Sequence, residues 1–200
     1  AVEALMNNRK AISIDINPMA VYIVNALIAP VKPQLLFDAF ERIKSEYITN
    51  EPKTKKEIEE ALNKYPYPKG YQLPKGSDVG TIEKLFSPKQ LAQLSYLKFL
   101  IKKEKNENVK KSLLLAFSSS LNKFNLTFHY TKTEGGGDSS IFRYYRYRIA
   151  PDPGKLNLFD IFETKFKKVF EAKKEIEYFI NEKTINDIKV IKGTATKLND

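Results

Sequence analysis

Apolar positions along the chain fall into two textures. Val2, Leu5 and Met6 recur at helical spacing, and Arg9-Lys10 then leads into Ala11-Ile12-Ser13-Ile14-Asp15-Ile16, a short run that predicts a buried strand. Asn17-Pro18 follows as an N-cap with proline at the first helical position, predicting a helix over 18–29. Pro30 and Pro33 mark a boundary, after which helical patterns and loops take over. Leu36, Phe40, Ile43 and Tyr47 share one helix face. Thr54-x-x-Glu57 is a capping box that opens a helix expected to bury Ile58, Leu62 and Tyr65. Residues 66–80, rich in Pro, Gly and Tyr, read as a surface loop. Ser87-Pro88 starts a helix with Leu91, Leu94 and Ile101 on one stripe, and Asn108 is expected to cap another that buries Val109, Leu113, Ala116, Phe117 and Phe124. Segments 127–133 and 141–149, rich in Thr, Tyr and Phe on either side of the turn residues 134–140, predict a β-hairpin. Asn157, with Asp160 three residues on, opens a long helix whose stripe is Leu158, Phe162, Phe166, Val169, Ile176 and Ile180. Residues 188–191 read as a second buried strand, followed by Lys192-Gly193-Thr194-Ala195, so α/β texture returns only at the end.

Charge changes this picture more than size does. With 34 Lys+Arg against 24 Asp+Glu the 200-residue chain carries +10, which points to an anionic partner. Hydrophobic residues at 42 % suffice for a core. The absence of Cys removes disulfides, thiolate metal sites and cysteine nucleophiles, and a single His cannot build a histidine-based metal centre, so no metal is expected. No apolar run approaches the ~18 residues of a membrane helix and no leader-like segment precedes the first motif, so a soluble, cytoplasmic protein with no membrane partner is expected. The chain opens mid-pattern without Met, from which we expect the gene product to begin further upstream.

A carboxylate at the carboxyl end of a parallel strand, just before a helix, lies where open α/β sheets bind nucleotides and can accept both hydroxyls of a ribose. Asp15 is so placed. The competing reading assigns it to the cap of the following helix. In Phe142-Arg-Tyr-Tyr-Arg-Tyr-Arg148, strand alternation puts Tyr144, Arg146 and Arg148 on one face and Arg143, Tyr145 and Tyr147 on the other. Each face joins ring to cation, suited to phosphate contact and to stacking on an unpaired base, with Lys132 on the facing segment. The alternative is a two-faced strand whose tyrosines pack inward and whose arginines are solvated. His129 reads as a packed or solvent-facing side chain. Ser118-Ser-Ser120 lacks a second His for a triad, Gly135-Gly-Gly137 reads as a mobile hairpin tip, and the lysines between 98 and 111 form a basic corner.

Ala1-Val-Glu-Ala-Leu-Met, followed by Arg9-Lys-Ala-Ile-Ser-Ile-Asp15-Ile-Asn-Pro18, resembles the stretch after the glycine-rich cofactor loop of prokaryotic DNA amino-methyltransferases. These enzymes methylate the exocyclic amine of adenine or cytosine. Leu85-Phe-Ser-Pro-Lys-Gln-Leu91, Leu113-Leu-Leu-Ala-Phe-Ser-Ser119, Gly135 to Gly137 before Tyr147-Arg-Ile149, and Leu158-Phe-Asp-Ile-Phe-Glu163 resemble landmarks of one subgroup, so the likeness covers most of the chain.

The resemblance implies an α/β remnant of a Rossmann-like methyltransferase sheet plus a mostly α-helical insert with one β-hairpin. Residues 1–30 and 184–200 would form part of the S-adenosylmethionine-binding core, and 31–183 the insert that recognises double-stranded DNA. It gives Asp15 the cofactor ribose and Ile16 the adenine. In the family an acidic residue, often within Gly-Asp-Ala, reads the adenine amine after the second strand; here Gly193-Thr194-Ala195 offers only the Thr194 hydroxyl. The glycine-rich loop and the Asp/Asn-Pro-Pro-aromatic catalytic motif are absent from the sequence. The chain is therefore expected to be inactive alone as a site-specific DNA methyltransferase, with the missing segments on the full-length polypeptide or a companion chain. The other reading is a non-catalytic DNA-binding specificity module of a restriction-modification system.

Overall fold

The structure, a computed structural model, describes residues 1–129, 147–181, 183–194 and 196. These form a mostly helical chain with one small parallel sheet. In order they are α1 (Val2–Met6), β1 (Ala11–Asp15), α2 (Pro18–Ile28), α3 (Pro33–Asn50), α4 (Lys55–Lys64), a 3₁₀ turn at Ile82–Leu85, α5 (Pro88–Lys102), α6 (Glu107–Ser120), α7 (Leu158–Ile176), a second 3₁₀ turn at Thr184–Asp187, and β2 (Ile188–Lys192). No single helix among the described residues is long and apolar enough to cross a membrane.

Local chemistry sets most of the helix starts. The Asn17 side chain accepts from the Met19 amide at 2.9 Å ahead of Pro18, opening α2. Thr54 and Glu57 close both bonds of the expected box at α4, and Ser87 and Gln90 do the same at α5. Asn157 accepts from the Phe159 and Asp160 amides at 2.8 and 3.2 Å, opening α7. At α6 the cap is Asn106 and not Asn108: its carbonyl takes the Asn108 and Val109 amides at 3.0 and 3.1 Å. The Asn108 amide group instead donates to the Pro30 carbonyl at 3.1 Å.

Contacts gather the chain into two compact units. The first comprises Ala1–Glu41, Glu104–Leu115 and Phe166–Asp200. Its two-stranded sheet pairs β1 with β2 in parallel, Ala11 opposite Ile188 and Asp15 opposite Lys192. The two apolar segments that the sequence marks as strands, near the two ends of the chain, thus lie side by side. Ala11, Ile188 and Val190 turn toward a cluster of Leu5, Ile28, Ile176 and Ile180, while Ile12 on the other face is 61 % exposed. Elsewhere in this unit Phe40 stacks on Phe166 with ring centroids 3.9 Å apart.

The second unit comprises Arg42–Lys103 and Ala116–Lys165. Here α4 packs on α5, and Tyr47 stacks on Phe159 at 5.2 Å. Burial and the adjacent Glu51 carboxylate push the Tyr47 phenol well above its ordinary range. Of the expected α4 stripe, Ile58, Leu62 and Tyr65 are half-buried, and Ala61 is the residue fully enclosed.

The expected β-hairpin lies largely outside the described residues. Its described ends, 127–129 and 147–149, are not strands. The chain there is tied by single backbone bonds, Leu126 to Leu85, Ala150 to Leu126 and Gly154 to Phe128, each between 2.8 and 2.9 Å.

Candidate functional site

The parallel pairing brings the carboxyl ends of β1 and β2 side by side. The Gly193 amide donates to the Asp15 carbonyl at 3.0 Å, carrying the ladder one step past β2. Asp15 is exposed, and its Oδ1 accepts from the Asn17 amide at 2.7 Å. Asn17 in turn caps α2, so one backbone turn links carboxylate and cap. Asp15 thus braces the turn into the helix, whose cap is Asn17, and its exposed side chain stands at the carboxyl end of the strand. A carboxylate placed in this way, near the positive end of an 11-residue helix, can accept hydroxyls from a ligand.

Ile16 lies immediately beyond, 75 % exposed, an apolar surface that a flat ring could cover. Thr194 sits past the end of the neighbouring strand, and its hydroxyl is 2.9 Å from the Thr196 hydroxyl. Asp15, Ile16 and Thr194 therefore gather at one end of the sheet. Sequence reasoning did not single out the Asn17 and Gly193 amides, which fix this corner. The Asn17-Pro18 pair was the available signal for the first; the second depends on strand register, which no local motif reveals.

Among the residues expected to meet DNA, Lys132, Arg143, Tyr144, Tyr145 and Arg146 lie outside the described residues. Tyr147 and Arg148 dock on the turn at Ser77-Asp78. The Tyr147 amide donates to the Ser77 hydroxyl at 3.2 Å, and the Asp78 amide donates to the Tyr147 carbonyl at 2.9 Å. The Arg148 guanidinium pairs with one Asp78 oxygen, and the Ile149 amide donates to the other at 2.9 Å. Arg148 and the Ile149 amide hold the Asp78 carboxyl below the usual carboxylate range.

Tyr147 and Arg148 are thus anchored to the Pro/Gly-rich loop. Sequence reading took that loop as a surface run and missed Ser77 and Asp78 as the anchor. Among the described residues no three acidic or imidazole groups converge as a metal would require. Comparison of the chain with protein-family models, with curated proteins and with solved structures finds no match.

Proposed function

We propose that the chain is part of a DNA methyltransferase that transfers methyl from S-adenosylmethionine to the exocyclic amine of adenine or cytosine, supplying part of the cofactor site and the contact to double-stranded DNA. The observation that carries this reading is the parallel pair of β1 and β2, which sets Asp15, through its backbone carbonyl, against the Gly193 amide at the carboxyl end, where open α/β sheets receive nucleotides. Asp15 would hold the ribose hydroxyls and Ile16 would cover one face of the adenine. Thr194 would offer its hydroxyl nearby.

On this reading the sheet continues in the glycine-rich segment, and the Asp/Asn-Pro-Pro-aromatic segment completes the pocket for the target amine. Both would belong to the longer polypeptide or to a companion chain. The exposed outer face at Ile12 and Ile191, and the unpaired sheet edges among the described residues, support such an arrangement, because parallel sheets are ordinarily covered on both faces. Arg148 and Tyr147 would anchor the basic aromatic segment, leaving Lys132, Arg143 and Arg146 to meet the phosphates, with Tyr144 and Tyr145 for a base.

The test is equilibrium dialysis of labelled S-adenosylmethionine against the full-length polypeptide that carries this chain. Loss of two charge-assisted hydrogen bonds in Asp15→Ala is expected to weaken binding about tenfold or more. Equal affinity of the two proteins would remove the cofactor assignment. DNA binding without any S-adenosylmethionine binding would leave the specificity-module reading in its place.

A further inference from the structure

A second surface, inside the unit that contains α4 and α5, has a chemistry of its own. Pro66, Tyr67 and Tyr71 face Lys98, Phe99 and Lys102 of α5 across an open groove of about 540 Å³. That volume falls among small-ligand sites, roughly 300–1,000 Å³. A narrower apolar recess of about 150 Å³, reaching Leu91, Leu94 and Leu121, adjoins it.

The aromatic wall is built on a pinned loop. The Ile82 amide donates to the Tyr71 carbonyl at 3.0 Å, and the Leu73 amide to the Gly80 carbonyl at 2.9 Å. Gly70, at φ +76°, turns its amide onto the Glu83 carboxylate at 3.2 Å, a backbone conformation suited to glycine. Tyr71 is 67 % exposed, so its ring is open to a ligand. Tyr65 meets Phe99 in a tilted ring contact at 4.6 Å, and the Lys69 ammonium lies 4.6 Å from the Tyr67 ring.

The opposite wall carries two like charges. Lys98 and Lys102 stand one turn apart on α5, about 6 Å along its axis. Burial, together with the Lys102 charge, holds the Lys98 ammonium below the usual lysine range. Among the described residues neither lysine forms an ion pair, and the Glu83 carboxylate nearby is occupied by the Gly70 amide. An anion seated between the two ammoniums would relieve their repulsion. Rings beside unpaired cations, in an open groove rather than a closed apolar tunnel, match a flat ring joined to a phosphate.

We propose that this groove binds an unpaired nucleotide of a nucleic-acid strand, its base stacked on Tyr67, Tyr71 and Phe99 and its phosphate held by Lys98 and Lys102. The proposal stands on the groove alone and does not depend on methyl transfer.

The experiment titrates the full chain with a nine-nucleotide thymidine strand carrying one central 2-aminopurine, at several salt concentrations, and repeats the titration with the RNA counterpart. Binding is expected to change the 2-aminopurine fluorescence. Tyr71→Ala is expected to weaken affinity about tenfold, the loss typical of one stacked base. Lys98→Gln with Lys102→Gln should lower the slope of log affinity against log salt by about 0.7, as loss of the one phosphate contact on a single strand requires. Because Tyr71 and Lys102 are exposed, an unchanged melting temperature establishes that the variants fold.

The same losses with either DNA or RNA support the proposal, and the tighter of the two identifies the strand. Wild-type affinity and slope in both variants would overturn it, as would failure of the native chain to bind either strand. Binding of an oligoglutamate or oligoproline peptide by the native chain, lost in the same variants while neither oligonucleotide binds, would overturn the proposal and reassign the groove to a protein partner. The S-adenosylmethionine titration reads Asp15 in the other unit, so either proposal can fail while the other stands.

Discussion

Lys173 lies in the most charged stretch of α7, between Glu171 and Glu175, yet is 2 % exposed. Its ammonium donates to the carbonyls of Ala26, Leu27 and Ala29, each at 2.7 Å. These include carbonyls of the last turn of α2, which have no partner within their own helix, and a cation there also meets the negative end of the helix dipole. Burial pushes the Lys173 amine down to about 8. Lys173→Met would fill the space but leave three buried acceptors without a donor. Part of that loss is offset because the buried charge disappears as well, and a net destabilisation of about 2 kcal/mol is expected in urea unfolding at pH 7.

The sign of the pH effect follows from linkage. A folded value of about 8 against an ordinary 10.5 means that between those values the unfolded chain binds the extra proton, so stability from this group rises with pH. The gap between native protein and Lys173→Met should therefore widen from pH 8 toward 10.5, by up to roughly 1.4 kcal/mol per pH unit. A gap that narrows over that window would show that the three carbonyls dominate over burial.

The helices are where sequence and structure meet most directly, because their starts are written in adjacent residues. At α4 the Thr54 hydroxyl accepts from the Glu57 amide at 3.3 Å, while the Glu57 carboxylate accepts from the Thr54 and Lys53 amides at 2.8 and 2.9 Å. Thr54→Ala removes the first of these and is expected to cost about 1 kcal/mol. Asn106→Ala at the start of α6 should cost a similar amount, since one carbonyl serves two amides there. Both are read by denaturant titration followed by helical circular dichroism, and variants within 0.3 kcal/mol or so of native would deny the caps their role. The misplaced cap at α6 shows where such legibility stops. Asn106 and Asn108 are both good N-cap residues, and only the tertiary bond from Asn108 to Pro30 decides between them. Lys173 fails for a similar reason: its neighbours in sequence suggest a solvated face, and its acceptors lie more than 140 positions away. The Ser77-Asp78 anchor and the Lys98–Phe99–Lys102 groove likewise join segments that no local pattern connects. By contrast, the turn at Asp15 is legible in sequence because carboxylate, cap and proline fall within residues 15–18, although its partner Gly193 comes only with the strand register.

Electrostatics act on the protein in sum as well as pair by pair. At neutral pH the chain carries +10, and several carboxylates that offset its lysines and arginines do so from specific bonds. Glu57 is held below its ordinary value by the Thr54 amide, Asp78 by Arg148, Glu83 by its own backbone amide, and Glu107 by Lys110. Each has a folded value below its unfolded one, so each stabilises the fold above the ordinary 3.8 of Asp or 4.5 of Glu, and that contribution is lost as pH falls through the lowered value. Over the same window the remaining carboxylates protonate, and the net charge climbs toward the 34 Lys+Arg plus one His. Two destabilising effects thus coincide, and salt separates them: self-repulsion is screened at about 0.5 M salt, whereas the proton cost of breaking the hydrogen bonds remains. Melting temperature followed by circular dichroism should hold nearly level from pH 7 to 5 and fall below about 4.5, with the steeper fall at low salt. A fall of the same depth at both salt concentrations would remove self-repulsion as a cause, and a melting temperature sustained down to pH 3 would show that these bonded carboxylates contribute nothing to the fold.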